Sequence, residues 1–368
     1  MRHLRGCKMT ERERYWKMVE FKKQDHVPFW MDWYSPTGLE RWYKEGLPQD
    51  VHISEYFGFE RTAGVPVNLG IIPGFKYETL EETDKYRVFR DGDNSIKKQF
   101  KEYSGFGMPQ WIEYPIKTRK DWEDYRKRMN VSSPCRYPPE TDWKEWKETM
   151  KKRDYPLTIG ACSFYGWIRN WVGVENLSVM FFDDPGLIHE MNEFILDFAM
   201  KVLHRALDEV KDIDYACFWE DMCYKTGPLI SPKMFREFML PHYKKITALL
   251  REHGVRHSWV DCDGNIEELI PLWIEGGVTG FYPLEVAAGM DAVKLRKIYG
   301  KNIIMWGNVD KRALAKGRKE IDAEINRLAG ITAEGGFIPL VDHAIPEDVS
   351  FDNYKYYIER RKVLCGLK

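Results

Sequence analysis

Short apolar runs that end in polar or acidic residues, each followed by an amphipathic stretch, recur through the second half of the chain. DYACFWED (Asp214 to Asp221) precedes SPKMFREFMLPHYKKITALLREHG, where Ser231-Pro232 makes a helix start and Gly254 a stop. RHSWVDCDGN precedes IEELIPLWIEGG, and VTGFYPLE, ending at Glu285, precedes DAVKLRKIYG. IIMWGNVD leads through KRALAKGRKE to IDAEINRLAG, and GFIPLVDHAIP leads to DNYKYYIERRKVL. PLTIGACSFYGW (Pro156 to Trp167) and the helical stretch after Asp184-Pro185 keep the same rhythm. Continuous apolar strands alternating with helices read as parallel β/α units buried on both faces. Six or more in succession favour a closed (β/α)8 barrel (a TIM barrel) over an open sheet.

FWMDW (Phe29 to Trp33) fits the first barrel strand, after an N-terminal helical extension over about residues 1–28. Residues from about 50 to 150 are more polar, with turn chemistry in FRDGDNS, and read as excursions over the barrel mouth: a small hairpin and helices. No Gly/Ser or Pro linker marks a second domain. Neither GxGxxG after a first strand nor GxxxxGK[ST] occurs, so nucleotide-binding open sheets lack support.

In a barrel of this kind the C-terminal strand ends face the catalytic mouth. Asp32, Ser163, Glu220, Asp221, Asp261, Asp263, Glu285, Asn308, Asp310, Asp342 and His343 are therefore expected to converge there. Some of these are helix caps in the making, and Asp310 before Lys311 fits that role as well as an acid's. Capping accounts poorly for the two-acid tips Glu220-Asp221 and Asp261-x-Asp263, where one carboxylate is left over. Glu220, Asp221, Asp263 and Asp310 are the candidate catalytic acids. Asp261, Asp263 and His343 have the donor chemistry of a divalent-metal site, zinc or another ion. In the other reading one Asp caps a helix, its neighbour faces a base, and His343 is a hydrogen-bonded loop residue. Without a metal, crowded carboxylates raise one another's pKa and can act as acid and base. His257 opens its strand away from the mouth, and His242 lies inside a helix; both read as structural.

Composition narrows the partners. With 56 basic and 57 acidic side chains and no like-charge run, a nucleic-acid or anionic-membrane surface is not indicated. Fourteen Trp and 20 Tyr supply either an aromatic core or an aromatic-lined cleft. Trp33, Tyr165, Trp219, Tyr282 and Trp306 are the candidate lining rings, with Asn308 beside them and Arg169 and Lys225 as candidate anchors for an anionic substituent. Seven scattered cysteines without CxxC, no apolar leader in MRHLRGCKMTERERYWKM and no long apolar run fit a reduced, cytoplasmic setting.

WGNVDKRALAKGRKEIDAEI, GGFIPLVDHAIPEDVSFDNYKYY, EDMCYKTGPLISPKMFREFMLPHYKKI and VDCDGNIEELIPLWIEGGVTGFYPLEVAAGMD resemble the uroporphyrinogen decarboxylase (URO-D) superfamily. The resemblance runs over nearly the whole chain and is most specific from Tyr155 to Tyr357. It implies a TIM barrel and one of two activities: cofactor-free decarboxylation, or methyl transfer to or from corrinoid proteins or thiols. The decarboxylases carry an arginine-rich motif close to RQAGR after the first strand, and here that place reads FWMDWYSPTGLERWYKEG, with Arg41 falling later, in a helical stretch. Eight substrate carboxylates would be poorly compensated without those arginines.

The methyltransferase branch binds zinc through His-x-Cys at one strand end and a late Cys. Here Asp261 and Asp263 fill the first two places and His343 the last, while Cys262 between them points to the opposite face. The resemblance thus implies transfer of a methyl group from a small, O-methylated donor to a corrinoid protein, with a homodimer as the expected assembly. Decarboxylation of a smaller carboxylate, anchored by Lys225, Arg169 and Lys311, is the second reading, and a non-catalytic ligand-binding barrel the third.

Overall fold

The computed structural model describes residues 9–101 and 108–367. The first eight residues of the expected N-terminal extension, with Cys7, lie outside the described residues. The strands in chain order are β1 (Ala63–Gly64), β2 (Glu78–Glu82), β3 (Tyr86–Arg90), β4 (Ile96–Phe100), β5 (Gln110–Glu113), β6 (Leu157–Gly160), β7 (Tyr215–Trp219), β8 (Cys223–Tyr224), β9 (Gly227–Pro228), β10 (His257–Asp261), β11 (Gly280–Tyr282), β12 (Ile304–Val309) and β13 (Phe337–Val341). Seven of them form one curled parallel sheet in the order β1-β6-β7-β10-β11-β12-β13, which is chain order, as successive β/α units require.

The two edges of that sheet are joined by the extended segment 29–34. On one side the Glu60 N–H donates to the Phe29 carbonyl; on the other the Ile345 N–H donates to Trp33 and the Ser35 N–H to Ile345. Sequence patterning assigns FWMDW as the first barrel strand, and it takes the eighth position here, with only an isolated bridge from Tyr34 to Ile345 in place of a full ladder. The fold is a TIM-barrel-like α/β architecture.

Large rings fill the barrel interior. Trp259 stacks on Trp306 with centroids 4.5 Å apart, and Trp30 meets Trp306 edge-on at 5.1 Å. The helix Glu11–Val19, started by a Thr10/Glu13 capping box, closes the N-terminal end by inserting Tyr15 and Met18 into the same cluster. A second, larger apolar layer lies between the strands and the outer helices. Removing one of these buried tryptophans would cost about 3–5 kcal/mol.

Between β1 and β6 the chain leaves the barrel and builds a four-stranded antiparallel sheet, β2-β3-β4-β5. It returns along Ile116, whose N–H donates to the Trp171 carbonyl, near the mouth-side helix Gly166–Val172. The stretch read as excursion from about 50 to 150 also contributes a barrel strand, β1, which its two-residue length hides in the sequence. Among the described residues no helix is long and apolar enough to cross a membrane.

Candidate active site

A cavity of about 490 Å³ opens at the C-terminal ends of the barrel strands. Trp306 and Tyr215 form its floor, Tyr282 and Trp30 its walls, and Trp33, 55% exposed, its lip. The Tyr282 ring stands edge-on to Trp306 at 4.3 Å and to Trp33 at 6.3 Å. Gly307 also lines the cavity; its φ is +95° and a Cβ there would lie 2.0 Å from the Pro283 carbonyl oxygen, so only glycine fits. Of the rings expected from sequence, Trp33, Tyr282 and Trp306 line the cavity. Tyr165 and Trp219 do not: Tyr165 is fully buried beside the helix Gly166–Val172, and Trp219 packs beneath the Arg169 guanidinium at 5.2 Å. Trp30, Tyr215, Cys217 and Phe59 are lining residues that patterning missed. Trp30 lies in FWMDW, three residues before the residue singled out there, and its indole N–H finds no acceptor among the described residues.

A carboxylate cluster adjoins this well. Asp261 ends β10 in register with Tyr282 of β11, and Cys217, two residues earlier on β7, brings its Sγ to 3.0 Å from the Tyr282 hydroxyl. Burial, then the charges of Asp221 and Asp263, push the Asp261 carboxyl up to about 8, so at neutral pH it carries a proton. Asp263 Oδ2 is 3.2 Å from His343 Nε2, and that bond raises the imidazole's pKa. Asp221 accepts at Oδ1 from the Asp263 N–H at 3.4 Å and lies 3.7 Å from Arg169 Nη2; burial raises its pKa. Its φ of +43° is a conformation that Asp tolerates better than most residues. The turn that brings Asp263 round depends on Gly264, φ +82°, where a Cβ would meet the Cys223 and Tyr224 backbone at 2.8 Å.

Several tip residues have other roles. Glu220 is fully buried and accepts hydrogen bonds from Ser163 Oγ, from the N–H groups of Phe164, Tyr165 and Gly166, and from the Tyr243 hydroxyl. It anchors the start of the helix Gly166–Val172. Asp310 caps the helix Lys311–Lys316 through the Arg312 N–H and pairs with the Arg312 guanidinium at 2.8 Å. Asn308 is buried and accepts from the Ala292 N–H while donating to the Leu284 and Met290 carbonyls, so it braces loops. Asp32 turns outward to Arg361 at 2.6 Å. Asp342 accepts from the Val286 and Lys311 N–H groups, and burial lifts its pKa to about 6. Arg169 donates to the Asp221 carbonyl at 2.5 Å and so shapes the cluster rather than the cavity wall. Lys225 is exposed in the hairpin between β8 and β9, over the Tyr224 ring.

The three residues of the metal reading do not close into a ligand set as they stand. Among the described residues, Asp261, Asp263 and His343 do not form a set whose donor atoms all lie within 4.8 Å of one another. Cys262, buried on the opposite face, accepts from the Met222 N–H at Sγ and offers no thiolate.

An aromatic well at the mouth of a parallel β/α barrel, flanked by a buried carboxyl, defines a TIM-barrel-like protein with its cavity where such folds place their sites. The family model described as uroporphyrinogen decarboxylase (URO-D) matches residues 107–364, and the chain belongs to that family. A uroporphyrinogen decarboxylase of Chlorobium phaeovibrioides is 24% identical over 192 residues, covering 49% of this chain and 50% of that one. Uroporphyrinogen decarboxylase 2, chloroplastic, of Oryza sativa subsp. japonica is 22% identical over 212 residues, covering 56% and 50%. The chain thus matches about half the length of these curated relatives. Among solved structures, a methyltransferase from Methanosarcina mazei superposes with a TM-score of 0.62 at 15% identity, covering 97% of this chain and 99% of that one, a likeness of fold.

Proposed function

We propose that the protein is a methyltransferase of the URO-D superfamily that takes a methyl group from a small O-methylated donor held in the aromatic well. The observation that carries this reading is the register of Asp261, a buried carboxyl pushed up to about 8, against Tyr282, the wall of that well. Demethylating an ether leaves an alkoxide or phenoxide, a poor leaving group unless a proton reaches its oxygen. Asp261, in line with Tyr282, holds that proton at neutral pH. The Trp30 indole N–H is a directional donor to a ligand oxygen, and the rings supply apolar contact to a methoxyarene. A corrinoid on a partner protein would accept the methyl group at cobalt. The cavity suits a drug-sized donor and is too small for a corrin ring, so the acceptor has to approach from above, at the Trp33 lip.

Decarboxylation of a small carboxylate is favoured by the curated relatives and by Arg61 in the cavity wall. That guanidinium is already paired with Asp154 at 2.6 Å and Glu11 at 3.3 Å, and Lys311 with Glu285 at 3.1 Å. A substrate carboxylate would have to compete with those acids. Anaerobic incubation of the protein with cob(I)alamin and a panel of methoxyarenes separates the two. The methyltransferase consumes the cob(I)alamin absorbance with release of the demethylated phenol. Absence of that change across the panel, with carbon dioxide released from small aromatic carboxylates, supports the decarboxylase.

A further inference from the structure

We propose a second, divalent-metal site at His204, Asp208 and His253, on the face of the barrel opposite the mouth. The helix Pro185–Glu209 runs toward the start of β7 and the helix Leu240–Glu252 toward the start of β10, so their C-terminal ends lie together at the N-terminal end of the barrel. His204 and Asp208, four residues apart, share one helix face, with Nδ1 2.8 Å from Oδ2. His253, which ends the neighbouring helix, brings Nε2 to 3.2 Å from Asp208 Oδ1. Donor atoms of all three lie within 4.8 Å of one another. An ion bound at ordinary zinc–nitrogen and zinc–oxygen lengths holds adjacent ligands about 3.0–3.4 Å apart, close to both separations.

The backbone fixes the orientation of the third ligand. His253 Nδ1 lies 2.9 Å from the Leu249 carbonyl, which can only accept. Nδ1 therefore carries a proton, and Nε2 is the ring atom turned toward the carboxylate, 3.2 Å from Asp208 Oδ1. A backbone bond at one ring nitrogen that frees the other is also how metal-bound histidines are oriented. Two imidazoles and one carboxylate suit a borderline ion such as zinc, cobalt(II) or nickel. His204 and Asp208 are 57% and 55% exposed, so an ion reaches them from solution, with water completing its shell. The ion would tie together the ends of two helices from successive β/α units and stabilise the barrel floor.

Zinc titration of the chelator-treated full chain by calorimetry, with thermal unfolding in parallel, tests the site. One equivalent should bind at this site, and the Tm should rise by about 3 °C at a hundredfold excess over Kd. Both effects should vanish in His204→Ala and in His253→Ala, each matching the wild type in circular dichroism without zinc, and survive in His343→Ala. No zinc-dependent rise in the wild type, or a rise kept by His204→Ala and His253→Ala, overturns the proposal and leaves a proton as the bridge. Loss in His343→Ala alone overturns it too, by moving the ion to the mouth.

Discussion

Asp261 and Tyr282 are register partners on adjacent barrel strands, one carrying a carboxyl pushed up to about 8 and the other forming a wall of the aromatic well. Infrared difference spectroscopy reads this directly. A protonated carboxyl band is expected at pH 7, absent in Asp261→Asn and fading in the wild type as the pH passes about 8. A carboxylate spectrum at pH 6 would show that the cluster does not hold the proton.

The same shift sets the sign of a stability effect. Asp261 has an ordinary value of 3.8, and its folded value is about 8, so folding retains a proton between those limits. The site favours the folded state most below pH 4. Stability then falls by up to about 1.4 kcal/mol per pH unit and levels off above pH 8. Asp261→Asn should flatten that slope and be the more stable protein at pH 8. Urea unfolding at pH 5.5 and pH 8 checks it; equal slopes in the two proteins would refute the shift.

His343 pulls the Asp261 pKa down by its charge and holds Asp263 in an ion pair. His343→Ala removes an opposing cation near Asp261 and leaves Asp263 unpaired beside it. The Asp261 carboxyl should then titrate at a higher pH, moving the alkaline limb of the pH–rate profile upward. A limb displaced to lower pH would contradict the assignment.

Trp33 lies at the lip and is more than half exposed, so its loss barely touches the core. Trp33→Ala should raise the donor KM about tenfold, which corresponds to about 1.4 kcal/mol, with the Tm changed by less than about 1 °C. Gly307→Ala is its converse. The added Cβ meets the Pro283 carbonyl at a positive φ, and thermal unfolding should show a loss of at least about 2 kcal/mol.

The barrel was legible because buried parallel strands are continuous apolar runs and their helices carry clear starts and stops, as at Ser231-Pro232 and Gly254. β1 was not, because two residues give no periodicity. At the mouth, spacing located Asp261, Asp263 and His343 but could not tell a polar tip that faces the cavity from one that braces a loop. Glu220 and Asp310 look alike in sequence; five donors surround one, and the other caps a helix. Trp30 was overlooked because FWMDW offers two tryptophans, and only the irregular backbone of 29–34 decides which lines the wall.

The most direct test of the proposed chemistry is the pH dependence of methyl transfer to cob(I)alamin in the wild type and in Asp261→Asn. The wild-type rate should fall as the pH rises through about 8, and the variant should be at least about a hundredfold slower at pH 7, with that limb gone. A variant with the wild-type rate and the wild-type limb would show that the proton comes from elsewhere.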